Sequence, residues 1–183
     1  MRIFALAESF RKGRKKSTLA GVVMRRDLVV DGMAFGRATI SGEDATDSMI
    51  AMFRQLDRTD VNCIILDGLV ISMYNIVDGQ RMSDETGLPI IAITFEDSAG
   101  LHDAIRHHFR KGWQKKVAQY EKLGQRERIV LHTGKQLYIR RWNVSQIDAL
   151  ALLDAFTLQG ALPEPVKVAK LAARAFSLSR GTL

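Results

Sequence analysis

The sequence predicts an α/β fold built on one mixed sheet: an antiparallel three-strand meander followed by parallel strands, flanked by helices, with a C-terminal helical extension. Three observations carry the prediction. Before Ser41 the chain holds three strand-like segments joined by short connections. From Ser41 to Phe109, stripes of helical period alternate with short apolar runs. Beyond residue 112 the chain turns to charged and helical segments, so residues 1–111 read as the core and 112–183 as an extension packed on it, with one small hairpin.

Ile3 to Ala7 is a short buried strand. Arg11, Lys12, Gly13, Arg14, Lys15 and Lys16 then form a loop too charged for a core. Thr18 to Met24 is the second strand. Leu28 to Ile40 is extended, with Asp31-Gly32 marking a hairpin turn or a bulge within it. Ser41-Gly42-Glu43-Asp44 supplies helix-start residues, and Ala45, Met49, Met52, Phe53 and Leu56 recur on one helical face, which predicts a helix over 44–57. Val61 to Leu66 is nearly continuous apolar sequence, as in a strand covered on both faces, and Asp67-Gly68 closes it.

A turn or helix covers Asn75 to Glu85 and ends at Thr86-Gly87; Pro89 to Phe95 is a β-branched strand; Leu101, Ile105, His108 and Phe109 make a third helical stripe. Trp113 to Gly124 reads as helix. Arg128–His132 and Gln136–Arg140 form the hairpin around Thr133-Gly134-Lys135. Asn143-Val144-Ser145 starts one further helix and Pro163-Glu164-Pro165 the last, while Ser177 to Leu183 lacks a stripe and frays. Three strands, helix, strand, helix, strand, helix is the element order of the ribonuclease H-like fold. That fold places metal-binding carboxylates near the end of its first strand, at the helix after the meander, and at the end of its fourth strand.

The 183 residues suit one compact unit, and 46% hydrophobic residues supply a core. The single cysteine, Cys63, sits in an apolar run, which excludes an intrachain disulfide and fits a reducing cytoplasm. No apolar stretch reaches membrane-spanning length, so a membrane partner is not expected. Net charge of +7 and a pI of about 9.8 point to a polyanionic partner, nucleic acid and foremost DNA. Phosphate-loop, dinucleotide and serine-hydrolase signatures are absent, as is a zinc pattern around His102, His107, His108 and His132.

The chain resembles the archaeal endonuclease dU family, which is grouped with endonuclease V. The resemblance runs through Gly21-Val22-Val23, Gly42-Glu43-Asp44-Ala45-Thr46, Leu66-Asp67-Gly68 with Asn75-Ile76-Val77-Asp78, Thr86-Gly87-Leu88-Pro89 and Pro163-Glu164-Pro165. It implies a ribonuclease H-like fold and a divalent-metal-dependent endonuclease acting on DNA with deaminated or abnormal bases. The family opens with a Gly-Ile-Asp-Asp-Gly-like run where this chain has Ala5-Leu6-Ala7-Glu8-Ser9, so the first family aspartate falls on Ala7. An acid that precedes the family's helix motif falls on Ser41.

Phosphodiester hydrolysis by this route needs Mg2+ or Mn2+ on hard oxygen ligands. The candidates are Asp67, Asp44 and Glu8, each expected both to bind metal and to serve catalysis. Each also has a plainer reading: Asp67 as a turn aspartate before Gly68, Asp44 as a helix N-cap, Glu8 as a solvated strand end. Adjacent strand residues point to opposite faces, so Glu8 replaces an acid at Ala7 only through a bulge or twist. Arg11, Lys12, Arg14, Lys15 and Lys16 are candidates to hold substrate phosphates, and Asn75 and Asp78 to touch substrate or start a helix. Arg106, Arg110, Lys111, Lys115 and Lys116, with Trp113 and Tyr120, offer a second cationic face. Two other classes stay open: a nucleic-acid-binding protein that has lost hydrolysis, and an interaction scaffold or homodimer formed through the helices from Val144 onward.

Overall fold

The computed structural model describes residues 1–11, 13–95 and 100–179. Its strands are β1 (Arg2–Ser9), β2 (Lys16–Arg25), β3 (Val30–Thr39), β4 (Cys63–Asp67), β5 (Val70–Ile71), β6 (Asn75–Ile76), β7 (Ile90–Thr94), β8 (Glu127–Val130) and β9 (Gln136–Trp142). The helices are α1 (Ala45–Gln55), α2 (Gly79–Thr86), α3 (His102–His108), α4 (Trp113–Glu121), α5 (Gln146–Ala155) and α6 (Glu164–Ser179). Seven strands form one sheet in the order β3-β2-β1-β4-β7-β9-β8, and β5 and β6 make a separate two-stranded ribbon. The meander is antiparallel, β1, β4 and β7 are parallel, and β9 returns antiparallel to β7. The hairpin of β8 and β9 thus extends the main sheet, weaving the chain past residue 112 into the core's own framework.

Alternation along the central strands sets the two layers. Phe4, Leu6, Ile64 and Leu66 face a cluster with Met49, Ile50 and Met82 of α1 and α2; Ile3, Ala5, Cys63 and Ile65 face one with Leu153, Phe156 and Val166 at α5 and α6. Burial on both sides is why these strands read as continuous apolar runs. Gly21 makes one layer possible, since a Cβ there would lie 2.3 Å from the Phe4 ring. Val23 pairs with Gly32 while Met24 pairs with Val30, so Asp31 is the extra residue of a bulge, where its carboxylate receives Arg2 and Arg58. Among the described residues no helix is long and apolar enough to cross a membrane.

Ser145 caps α5 through the Asp148 N–H, and Asp78 caps α2 through the Arg81 N–H at 3.0 Å. Gly87 ends α2 at φ 69°, the left-handed conformation that favours glycine. The fraying expected from Ser177 does not begin there, because α6 runs to Ser179; residues 180–183 lie outside the described part.

Candidate nucleic-acid interface and strand-end acids

β1 pairs with β2 without interruption through Ala7 opposite Ala20 and Glu8 opposite Leu19, so no bulge turns Glu8 over. Glu8 therefore lies on the face of Leu6, toward α1. Its two carboxylate oxygens accept from the Ser72 N–H (2.9 Å) and the Ser72 hydroxyl. Ser72 also shares a 2.6 Å hydrogen bond with Ser17, and its carbonyl accepts from the Ser41 N–H at 2.7 Å. These bonds brace a turn in which Ser72, Met73 and Tyr74 all have positive φ, at 46°, 56° and 69°. Left-handed backbone costs a non-glycine residue roughly 1–2 kcal/mol. The charge of Glu8 serves that turn.

Asp67 ends β4 one residue past Leu66, which pairs with Leu6. It shares the face of Ile65, toward α6, opposite to Glu8. There its Oδ2 receives the Lys170 ammonium at 2.9 Å, and its side chain is 14% exposed. Lys170 also lies 5.8 Å from the centre of the Phe95 ring. Ala7, beside Asp67 on the same face, packs with Val22 and Ala169 of α6.

Asp44 occupies the N-cap position of α1 but makes no cap bond with its side chain. Its carboxylate reaches back to the Thr39 N–H (2.8 Å) and hydroxyl (2.7 Å) and takes the Asn75 amide at 2.8 Å. Burial raises the Asp44 pKa, but the hydrogen bonds from Thr39 and Asn75 outweigh it and hold the carboxyl below its ordinary range. Asn75 is fully buried; its amide also donates to the Thr39 carbonyl, and its oxygen accepts from the Ala45 N–H. Both groups are spent on joining β3, α1 and β6, which leaves Asn75 no free face for substrate.

The expected convergence of Glu8, Asp44 and Asp67 on one metal-binding edge does not form. Alternation sends Glu8 and Asp67 to opposite sides of the sheet, and Asp44 is turned into the β3–α1 connection. Among the described residues, no three His, Cys, Asp or Glu side chains are grouped so as to hold a metal ion. Among the described residues Asp67 already holds an ammonium and stands apart from Glu8 and Asp44, so this donor set does not fit Mg2+ or Mn2+, which take several oxygens.

The basic segment fares differently. Arg14, Lys15, Lys16, Ser17 and Thr18 line an open cavity of about 570 Å3 together with Arg37 of β3 and Ser177 of α6. Among the described residues no carboxylate lines it, and its four cations have no ion-pair partner. Arg11 is exposed just before it, and Lys12 lies outside the described residues. Arg37 and Ser177 were missed by reading the sequence, since only strand pairing (Thr18 opposite Arg37) and the end of α6 bring them to the loop. Asp78 lies elsewhere, in a cavity of about 220 Å3 with Gln119, Lys122 and Trp142.

The second cationic face is largely committed internally. Lys115 pairs with Glu43 at 2.6 Å, Arg106 lies over Trp113 at 5.1 Å, and Tyr120 packs against the core. Lys116 is 4% exposed and donates to the Gly42 carbonyl; burial pushes its pKa down. The histidines keep ordinary partners: His108 bonds Ser41, His102 pairs with Glu121, and His132 with Asp154.

Residues 1–177 match the family described as Endonuclease dU. This chain belongs to the Endonuclease dU family. It is 36% identical over 92% of its length to the UPF0215 protein of Pyrobaculum calidifontis, covering 93% of that protein. It is 31% identical to the UPF0215 protein of Thermococcus kodakarensis, over 88% of this chain and 82% of that one. Among solved structures, a protein of unknown function from Archaeoglobus fulgidus superposes with a TM-score of 0.81 at 26% identity, over 96% of this chain and 97% of that one. Ciona intestinalis endonuclease V, crystallised with inosine-containing DNA, superposes at 0.63 with 13% identity, over 97% and 86%. The last likeness is one of fold, and with it the ribonuclease H-like architecture of this Endonuclease dU member stands.

Proposed function

We propose that this chain is a DNA-binding member of the Endonuclease dU family that grips the phosphate backbone at the tip of the β1–β2 connection. The observation that carries the reading is the cavity formed by Arg14, Lys15, Lys16 and Arg37, four cations with no carboxylate among the described lining residues. Cations held side by side and unpaired gain most from an anionic strand, which exchanges condensed counterions for protein charge. Ser17 and Thr18 supply the floor, and Ser177 places the end of α6 at the rim. Support also comes from the family and from the DNA seated on an endonuclease V of the same fold.

Four phosphate contacts give a slope of log affinity against log salt of about −3.6 on duplex DNA, and each lost contact reduces it by about 0.9. Fluorescence anisotropy with labelled DNA across a salt series measures both, for the native chain and for Lys16→Gln and Arg37→Gln. Equal slopes in all three proteins, or no affinity at low salt, would remove the cavity from DNA binding.

A second reading is cleavage of DNA at deaminated bases, favoured by the family's description and by Asp67 at the carboxyl end of a parallel strand. DNA carrying one deoxyuridine or deoxyinosine, incubated with Mg2+ or Mn2+ and with EDTA, decides it. Metal-dependent nicking that disappears in Asp67→Asn establishes cleavage; intact DNA that is nonetheless shifted in a gel leaves binding alone.

A further inference from the structure

The strand-end acid carries its own cation. Asp67 projects from β4 toward α6, where the Lys170 ammonium meets it at 2.9 Å. The neighbouring position on that face, Ala7, presents a methyl group that is 2% exposed, sealed by Val22 and by Ala169, the residue just before Lys170. The three facts are linked. A small side chain at Ala7 lets α6 lie against β1, Ala169 fills the contact, and the next residue along the helix is thereby delivered to Asp67. The Phe95 ring under the ammonium gives the lysine a second favourable contact. Glu8 offers no help from across the sheet, being bonded to Ser72 on the other face.

We infer that Lys170 is the resident cation of this strand end, standing where a divalent ion would have to sit, so that Asp67 is charge-balanced without metal. A magnesium or manganese ion at Asp67 must displace an ammonium from its carboxylate, and among the described residues no three His, Cys, Asp or Glu side chains are grouped to hold it. It would find a methyl group where a second oxygen ligand is wanted, and Mg2+ sites are otherwise completed by water and further carboxylates. The ammonium also repels the incoming ion at short range, where Asp67 is largely covered and screening is reduced. The inference stands apart from the DNA-binding reading, since the basic cavity meets α6 at Ser177, about two helical turns beyond Lys170, and can fail its own test separately.

Manganese binding read by electron paramagnetic resonance tests it, using the free ion signal of Mn2+ with the full chain. The native protein should show no saturable site at concentrations where Lys170→Met, which keeps an apolar stem beside Phe95, does. Removing the repelling charge should tighten Mn2+ binding by about tenfold or more. Asp67→Asn added to Lys170→Met should abolish the gain, and Lys170→Arg should behave as the native chain. A native protein that binds Mn2+ as tightly as Lys170→Met, or a folded Lys170→Met that gains nothing, overturns the inference. The native chain gives a readout that does not depend on any variant folding: its melting temperature should be the same in EDTA and in Mn2+. A rise that saturates with Mn2+ and is missing in Asp67→Asn would equally overturn it.

Discussion

Replacing Asp44 by alanine separates a structural carboxylate from a metal ligand. Asp44 accepts three hydrogen bonds, two from Thr39 and one from Asn75, at 2.7–2.8 Å. Hydrogen bonds to a charged group contribute roughly 1.5–3 kcal/mol each when shielded, and about 1 kcal/mol each is suitable for a half-exposed acid that water can reach. The Thr39 N–H and the buried Asn75 amide lose their partner together, so Asp44→Ala should cost about 2–4 kcal/mol. For a chain of this size, about 2–4 °C per kcal/mol places the melting temperature roughly 4–16 °C lower. Circular dichroism melts at pH 7, in EDTA and in Mg2+, measure it, and the loss should be the same in both. The pH dependence has a definite sign. The folded pKa of Asp44 lies below its unfolded value, so its contribution is complete above the unfolded value of about 3.9 and is lost as pH falls through the folded one. Native stability should therefore drop more steeply than that of Asp44→Ala below about pH 4. A variant that melts at the native temperature in EDTA but loses stabilisation by Mg2+ would refute this reasoning and restore Asp44 as a ligand.

Glu8→Ala removes both acceptors of Ser72, so the left-handed turn at 72–74 should exchange its amide hydrogens faster, with about 1–3 kcal/mol of stability lost. Unchanged protection at Met73 and Tyr74 would show that the turn holds itself. Ala7→Asp places a carboxylate against Ala169 and Val22, which should cost about 3 kcal/mol or more through buried charge; a native-like melting temperature would show that α6 can yield. Burial pushes the Cys63 thiol up to about 12, so iodoacetamide at pH 8 should label the folded chain far more slowly than the unfolded chain in urea. Equal labelling rates would place the thiol at the surface.

What the sequence determined by itself was local. Period two and near-continuous apolar runs marked β1, β4 and β7, and period 3.6 marked α1. Asp31-Gly32 marked an irregularity that proved to be a bulge, and Gly87 marked the end of α2, because each of these depends on a few neighbouring residues and the backbone conformations they permit. Alternation also allowed Ala7 and Glu8 to be assigned to opposite faces before any fold was known. Part of the basic site was legible for the same reason: a run from Arg11 to Lys16 cannot be buried wherever the strands go. The turn at 72–74 was not legible, since Ser72-Met73-Tyr74 contains no glycine and takes its conformation from Glu8, Ser17 and Ser41, all distant in the chain. Tertiary structure alone decided that Glu8 and Asp67 are separated by the sheet, that Arg37 and Ser177 complete the basic cavity, and that Lys170 reaches Asp67. Those outcomes follow from which face of the sheet each helix covers and how closely α6 can approach Ala7. That is set by the packing of both layers together, and no local pattern encodes it.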